Sequence, residues 1–144
     1  MVKQLSVFLE NSKGRLASMT RALGDAGIDL LALSIADTTS FGILRAIVDD
    51  TDKAMAVLKE AGYTVNTTEV LAVLVPDSPG GLAGVLGLLN DAHVNVEYLY
   101  SFVRTPNENA LIMFRVEDTE KCAALLKENS IRVFSLEEIL SSVD

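Results

Sequence analysis

Cysteine, histidine and tryptophan are almost absent from the sequence. Its 144 residues contain one cysteine, Cys122, one histidine, His93, and no tryptophan. A single cysteine excludes an intrachain disulfide and a thiolate metal cage, and a single histidine disfavours a zinc site. We therefore interpret Cys122 as a small core residue and His93 as a helix-end residue, and we expect neither a metal nor a cofactor.

Positive charge is also scarce. Twelve lysines and arginines face 20 aspartates and glutamates, so the formal net charge is −8 at pH 7. This charge opposes binding to nucleic acid or to an anionic membrane. No apolar run approaches the roughly 18 residues that a transmembrane helix needs, and no small-residue cleavage site follows the first apolar stretch. We expect a cytoplasmic protein that binds neither nucleic acid nor membrane.

Catalytic motifs are missing as well. The segment GGLAGVLG, residues 80–87, resembles a dinucleotide-binding loop, but Leu82 occupies the place of the second glycine. No Ser/His/Asp set, metal cluster or pair of catalytic carboxylates recurs in both halves of the chain. The sequence therefore predicts a protein that is not an enzyme.

The sequence does contain a duplication. Residues 7–30 recur as residues 73–96 with a shift of 66 positions, and residues 48–62 recur as 116–130 with a shift of 68. Two homologous units, 1–68 and 69–144, therefore make up the chain. A unit of this size is marginally stable alone, so we expect the two units to pack against each other or against another chain.

Each repeat predicts the order β-α-β-β-α-β, the ferredoxin-like arrangement. Residues 67–69 are predicted to link the units, and Ser135 and Glu138 form a capping-box pattern that predicts a short last helix. The predicted strands are 4–9, 28–36, 41–48 and 63–67, then 70–75, 94–104, 110–117 and 131–134. The predicted helices are 14–26, a second one capped by Asp50 and ended by Gly62, then 82–92 and 120–129.

The loop between the first strand and the first helix is the best candidate for a binding site. It has the sequence ENSKGRL, residues 10–16, and recurs as PDSPGGL, residues 76–82. Gly14 and Gly80 permit a positive φ and a close approach of a ligand to the main chain, and free N–H groups at a helix start bind anions. Asn11 or Ser12 is the expected N-cap. A tight strand-to-helix turn needs the same residues without any ligand, and spacing alone slightly favours that structural interpretation.

The motif SVFLEN-x-x-GRL, the run GIDL at residues 27–30 and the βαββαβ order resemble the ACT domain. The first repeat is most similar to the ACT domain of the small regulatory subunit of acetolactate synthase. The resemblance covers both repeats and implies that a free amino acid binds at an interface between two ACT units. The ligand contacts that it implies in the first repeat are Asn11, Ser12, Lys13, Gly14, Arg15, Leu16, Asp29 and Leu30. Those in the second repeat are Asp77, Ser78, Gly80, Gly81, Leu82, Asn95 and Val96.

The chemistry of these positions suits a zwitterion. Its carboxylate needs N–H donors, which a helix start supplies, and its ammonium needs oxygen acceptors. The family usually has asparagine at both polar positions, whereas this chain pairs Asn11 with Asp29 and Asp77 with Asn95. The extra carboxylates leave the identity of the amino acid open.

Aromatic side chains alternate along one strand of the second repeat: Tyr98, Tyr100 and Phe102. Packing in a core or an interface is the favoured interpretation, because aromatic residues dominate both, and an aromatic ligand pocket is the alternative.

These observations predict an α+β fold. It consists of two ferredoxin-like βαββαβ (ACT) units packed side by side, with antiparallel sheets and helices on one face. The predicted function is that of a non-catalytic amino-acid sensor that forms a homodimer. The alternative is a regulatory subunit that docks on an acetolactate-synthase-like or other amino-acid-metabolic enzyme, and a small ferredoxin-like enzyme is a third hypothesis.

Overall fold

The computed structural model describes residues 1–10, 12–37, 40–102 and 109–142. Helices and antiparallel strands alternate along the chain, which confirms the predicted α+β class. The elements are β1 (Val2–Glu10), α1 (Arg15–Asp25), β2 (Leu30–Asp37), β3 (Phe41–Val48), α2 (Thr51–Glu60), β4 (Thr64–Pro76), α3 (Gly81–Asp91), β5 (Val96–Ser101), β6 (Asn109–Val116), α4 (Thr119–Glu128), β7 (Val133–Phe134) and α5 (Leu136–Ser142).

The chain forms two compact units. Lys3–Thr68 is the N-terminal unit, and Glu69–Asp144 with Met1–Val2 is the C-terminal unit. The strand order is β2-β3-β1-β4 in the N-terminal unit and β5-β6-β4-β7 in the C-terminal unit. Both units therefore follow the βαββαβ pattern, while the exact limits 1–68 and 69–144 of the two domains stay a prediction.

Residues 67–69 lie at the boundary between the two units, as predicted, but the predicted break between two strands at these positions is wrong. β4 runs without interruption from Thr64 to Pro76, a strand of 13 residues that passes through these positions. The segment TVNTTEVLAVLVP is rich in β-branched residues and contains no glycine, and its only proline is the last residue. Such a segment continues as a strand because nothing in it stops the β conformation.

The core of the N-terminal unit lies between its sheet and its two helices. Successive side chains of a strand point to opposite faces of a sheet, so Leu5, Val7 and Leu9 of β1 share one face. They pack with Met19 and Leu23 of α1 and with buried residues of α2, Ala54 and Leu58. Burial of each large aliphatic side chain contributes roughly 1.5 to 3 kcal/mol, so this contact holds α1 against the sheet.

The C-terminal unit repeats this core with Cys122 as one of its members. Leu71, Val73 and Val75 of β4 pack with Val85 of α3 and with Cys122 of α4. Burial raises the pKa of the Cys122 thiol, and the nearby Asp118 carboxylate raises this pKa further. The interpretation of Cys122 as a small core residue is confirmed.

Side-chain caps fix the starts of three helices. Asp50 Oδ1 accepts the Lys53 N–H at 3.1 Å at the start of α2, as predicted. Asp118 Oδ1 accepts the Lys121 N–H at 3.0 Å at the start of α4. The predicted capping box starts α5, because Ser135 and Glu138 exchange hydrogen bonds of 3.1 and 3.2 Å. No helix in the described part of the chain is long and apolar enough to cross a membrane.

The two units end their helices with different residues in the same backbone conformation. Gly27 and Gly62 follow α1 and α2 with φ of 74° and 90°. The equivalent positions after α3 and α4 are His93 and Ser130, with φ of 59° and 58°. The prediction that His93 lies at a helix end is confirmed. A left-handed conformation costs a non-glycine residue roughly 1 to 2 kcal/mol, so the second repeat carries strain that the first repeat avoids.

We predict that His93→Gly and Ser130→Gly each raise the free energy of unfolding by about 1 kcal/mol, because glycine removes the Cβ clash of the left-handed conformation. Urea denaturation followed by circular dichroism measures the change. Gly62→Ser is the reciprocal control and should lower the free energy of unfolding. If all three variants had the urea midpoint of the wild type, the left-handed conformations of His93 and Ser130 would not be strained.

Candidate ligand-binding site

The turn into α1 is made by the main chain of Gly14. Gly14 is the N-cap, with φ of 88° and ψ of −8°, and no side chain caps this helix end. The prediction of Ser12 as the N-cap is wrong, and Asn11 lies outside the described residues. The physical reason is the left-handed turn, in which the Arg15 N–H donates to Ser12 O at 3.3 Å and the Ser18 N–H donates to Gly14 O at 2.9 Å. Main-chain N–H groups at the helix start therefore carry its partial positive charge without a side-chain acceptor.

A cavity of about 550 Å³, which we call the α1 cavity, opens beside this helix start. It brings together four predicted site residues: Ser12, Gly14, Leu16 and Leu30. It also contains five residues that sequence reasoning missed: Ala17, Thr20, Leu33, Ile35 and Leu44. The volume lies within the range of pockets for small molecules.

The wall of the α1 cavity is largely aliphatic. The Thr20 hydroxyl donates to the main-chain oxygens of Leu16 and Ala17 at 3.0 and 3.1 Å, so its proton faces the helix rather than the cavity. Leu16, Leu33 and Ile35 are between 42% and 45% exposed. The cavity is therefore apolar in character and open to solvent along one side.

A smaller cavity of about 220 Å³, the annex, shares Ser12, Leu16 and Ile35 with the α1 cavity. Its charged residues are Glu10, the last residue of β1, and Arg15, the first residue of α1. The annex therefore places a carboxylate and a guanidinium beside an aliphatic cavity.

Tyr63 holds the Arg15 side chain in place. The guanidinium carbon lies 4.4 Å from the centre of the Tyr63 ring, and the Tyr63 hydroxyl donates to Ser18 Oγ at 3.0 Å. The Arg15 Nε atom is buried, and no hydrogen-bond acceptor meets it among the described residues. Stacking on an aromatic ring orients a guanidinium and limits its motion.

Two predicted residues of the first repeat lie outside both cavities. The Lys13 side chain is exposed and lines neither of them. Asp29 is held by Asp49, because the Asp29 N–H donates to Asp49 Oδ1 at 3.0 Å and Asp29 O accepts the Asp49 N–H at 3.2 Å. Asp29 follows the end of α1, whereas Gly14 precedes its start. The 11 residues of α1 separate these positions by about 16 Å along the helix.

The second repeat shows the same separation. Asn95 lines a cavity of about 480 Å³ with His93, Glu117, Asp118 and Lys121, beyond the end of α3. Gly80, with φ of 86°, is the N-cap at the opposite end of that 11-residue helix. Asp77 and Ser78 are exposed, and Leu82 and Val96 are partly buried against the core of the C-terminal unit. Within one unit, Asp29 and Asn95 therefore lie too far from Gly14 and Gly80 to contact the same small ligand, whereas Leu30 shares the α1 cavity with Gly14.

Gly81 has a steric role that its equivalent, Arg15, does not share. A Cβ atom on Gly81 would overlap the carbonyl oxygen of Pro76. No side chain fits at this position while the backbone stays where it is. The first turn of α3 thus differs chemically from the first turn of α1.

Tyr98, Tyr100 and Phe102 line none of the cavities found among the described residues. Tyr100 and Phe102 are buried and Tyr98 is half-buried, which favours the packing interpretation. Within the described ranges, no three His, Cys, Asp or Glu side chains lie close enough together to hold a metal ion.

We predict that Gly81→Ala lowers the free energy of unfolding by about 1 to 3 kcal/mol, because the new methyl group overlaps the Pro76 carbonyl. Gly84→Ala and Gly87→Ala are matched controls in the same helix, where a Cβ meets no atom within 4 Å. These controls should raise the free energy of unfolding by about 0.5 to 1 kcal/mol, since alanine favours a helix. Chemical denaturation of the three variants measures the contrast, and a stabilised Gly81→Ala variant would refute the close approach.

Comparison with known proteins identifies the family of this chain. A family model described as an ACT domain pair matches residues 1–143. The crystal structure of protein BT0572 from Bacteroides thetaiotaomicron is similar over 96% of this chain and 94% of that chain, with 43% identity and a TM-score of 0.90. No curated protein matches the sequence.

More distant structures share the fold. The regulatory subunit of aspartate kinase from Thermus thermophilus is 16% identical over 88% of this chain and 91% of that chain, with a TM-score of 0.64. The small subunit of acetolactate synthase from Thermotoga maritima is 10% identical over 93% of this chain and 91% of that chain, with a TM-score of 0.41. The second likeness is too low to support an argument.

Proposed function

Because the chain belongs to the ACT domain pair family, we propose that it is a non-catalytic regulatory protein that binds a free amino acid and acts as an amino-acid sensor. The observation that carries this proposal is the α1 cavity of about 550 Å³, which meets an uncapped helix start at Gly14. ACT domain pairs are regulatory domains, and this agrees with a sensing role. We place the protein in the cytoplasm, where free amino acids are available and a lone thiol stays reduced.

The geometry suits the two ends of an amino acid. The helix start supplies N–H donors and a partial positive charge for the ligand carboxylate. Leu16 and Ala17 of the first helical turn line the α1 cavity, so a ligand held at this helix start extends its side chain along an aliphatic wall. One small molecule can thereby use both the polar and the apolar part of the site.

The ligand lies at an interface between two ACT units. Asp29 and Gly14 lie at opposite ends of α1, so these two predicted contacts reach one ligand only if they belong to different units. The exposed sides of Leu33 and Ile35 leave the cavity open on the side that a second unit would cover. We propose that a second copy of the chain supplies this unit, which makes the protein a homodimer.

Binding becomes a signal through the arrangement of the units. A ligand that bridges two units stabilises the arrangement in which both of them contact it. The ligand binds this arrangement more tightly than one in which only a single unit contacts it, and the ratio of the two affinities sets how far the population shifts. By the same coupling, a partner that prefers one arrangement changes the affinity for the ligand. Sensing thus requires no chemical reaction.

We predict that at least one of the twenty amino acids binds with a Kd below about 1 mM, equivalent to roughly −4 kcal/mol. Gly14→Val should weaken this binding at least tenfold, since a branched side chain at φ of 88° distorts the turn at the helix start. Gly24→Ala is the matched control, because its Cβ meets no atom within 4 Å and Gly24 lies away from the cavity. Titration calorimetry on the folded proteins is the measurement, and a lack of binding by all twenty would refute amino-acid sensing.

We predict that Ile35→Glu shifts the protein from dimer to monomer, because a charge then replaces an exposed aliphatic side chain at the open side of the cavity. Phe8→Glu is the matched control, since Phe8 is similarly exposed, at 39%, and lines neither described cavity. Sedimentation equilibrium distinguishes the two states. A wild-type protein that is monomeric with and without ligand would contradict the homodimer.

A second candidate function is that of a regulatory subunit of an amino-acid-metabolic enzyme. The Thermus thermophilus protein with the same fold is named a regulatory subunit of aspartate kinase. The observation that favours docking here is an exposed pair of aromatic rings, Phe8 and Phe41, whose centres lie 5.9 Å apart. Exposed aromatic side chains often anchor protein interfaces.

A further inference from the structure

We propose that each chain holds one amino-acid site, whose charged contacts come from the N-terminal unit, and that its ligand has an aliphatic side chain. In this site Glu10 binds the ammonium group, Arg15 binds the carboxylate, and the α1 cavity holds the side chain. This inference rests on the proposed function, and it assigns the charged contacts and the ligand class within that function.

The first support is the arrangement of the two cavities. Ser12, Leu16 and Ile35 line both the annex and the α1 cavity, so the two spaces adjoin. The annex contains the opposite charges, and the α1 cavity contains the aliphatic wall. A molecule with a zwitterionic head and an apolar tail fits this sequence of surfaces, because each part meets its chemical complement.

The second support is the state of the charged groups in the annex. Within the described part of the chain no ion pair joins Glu10 to Arg15, so neither charge is neutralised by the other. Arg15 stacks on Tyr63 with its Nε atom buried and without an acceptor. A guanidinium that has lost hydration on one edge is attracted more strongly to an anion than a fully hydrated one. A ligand carboxylate at Arg15 would supply that anion.

The third support is the second repeat, which lacks both charges. The positions equivalent to Glu10 and Arg15 are Pro76 and Gly81. These two residues are in contact, because the Pro76 carbonyl occupies the place where a Gly81 side chain would begin. The C-terminal unit therefore has neither ion partner at these positions, and its backbone leaves no room to restore the second one.

The ligand class follows from the wall of the α1 cavity. Its side chains are aliphatic except for those of Ser12 and Thr20, and the Thr20 proton is donated to the helix main chain. A polar or charged ligand side chain would lose its hydration there without enough new partners, whereas an aliphatic one gains from burial. Leucine, isoleucine and valine are the expected ligands.

The test pairs each variant with a ligand analogue that lacks the matching charge. Leucine, 4-methylpentanoate, which has no ammonium group, and 3-methylbutylamine, which has no carboxylate, are titrated into the full-length protein. Titration calorimetry, with ligand-observed NMR for the weaker analogues, should show one leucine per chain. Glu10→Gln should weaken leucine binding by about 10- to 100-fold and leave 4-methylpentanoate unchanged. Arg15→Gln should weaken leucine binding to a similar extent and leave 3-methylbutylamine unchanged.

Matched controls separate these effects from a general loss of charge. Glu60→Gln and Arg21→Gln change exposed charges of the same unit that line neither cavity, and both should bind leucine like the wild type. Unfolding curves verify that every variant is folded. If no amino acid binds, the proposed function fails together with this inference. If amino acids bind but Glu10→Gln and Arg15→Gln keep wild-type affinity, if two equivalents bind per chain, or if serine or aspartate binds more tightly than leucine, this inference alone is overturned.

Discussion

The left-handed backbone at Gly14 is the constraint on which the candidate site depends. With φ of 88°, it turns the chain from β1 into α1 without any side-chain cap. The Arg15 N–H donates to Ser12 O, and no serine or aspartate side chain, the usual acceptor at a helix start, caps this turn beside the α1 cavity. The second helix of each unit has a side-chain cap: the Asp50 carboxylate caps α2, and the Asp118 carboxylate caps α4. The uncapped start is thus confined to the helices that follow the first strand of each unit.

Duplication preserved the scaffold and changed the surfaces around it. Gly80 keeps the left-handed turn of Gly14, with φ of 86°. The residues on either side diverged, since Pro76 and Gly81 replace the charged residues of the annex. Helix ends diverged too, as His93 occupies a left-handed position that is glycine in the first repeat. The C-terminal unit therefore has the same fold at some cost in backbone strain, and it lacks the two charged residues of the annex.

Much of the fold could be predicted because its signals are local. The alternation of apolar residues, the caps at Asp50 and the capping box at Ser135 depend only on neighbours in sequence, and the structure contains all of them. The break between two strands predicted at residues 67–69 is absent, because a β-branched segment without glycine continues as one strand across the boundary between the units. The prediction of Ser12 as the N-cap is wrong because Gly14, two residues later, adopts the left-handed conformation and is itself the N-cap of α1.

The site was harder to predict, because a cavity is formed by segments that are distant in sequence. The loop from residue 12 to residue 16 carried a recognisable glycine and helix-start signal. Leu33 and Ile35, which lie on one face of β2, and Leu44 of β3 carried none, since their alternation marks any half-buried strand. The stacking of Arg15 on Tyr63 joins residues on different elements and has no counterpart in the sequence pattern.

The sequence by itself determined the duplication, the βαββαβ order, the family resemblance and the low positive charge, because all of these are properties of residue type and spacing. Only the tertiary structure decided which predicted residues share a cavity. α1 separates Asp29 from Gly14 by its whole length, whereas Leu33 of β2 lines the same cavity as the start of α1. The physical reason is that hydrophobic burial fixes how α1 lies on its sheet, and that contact determines which side chains remain at the open edge.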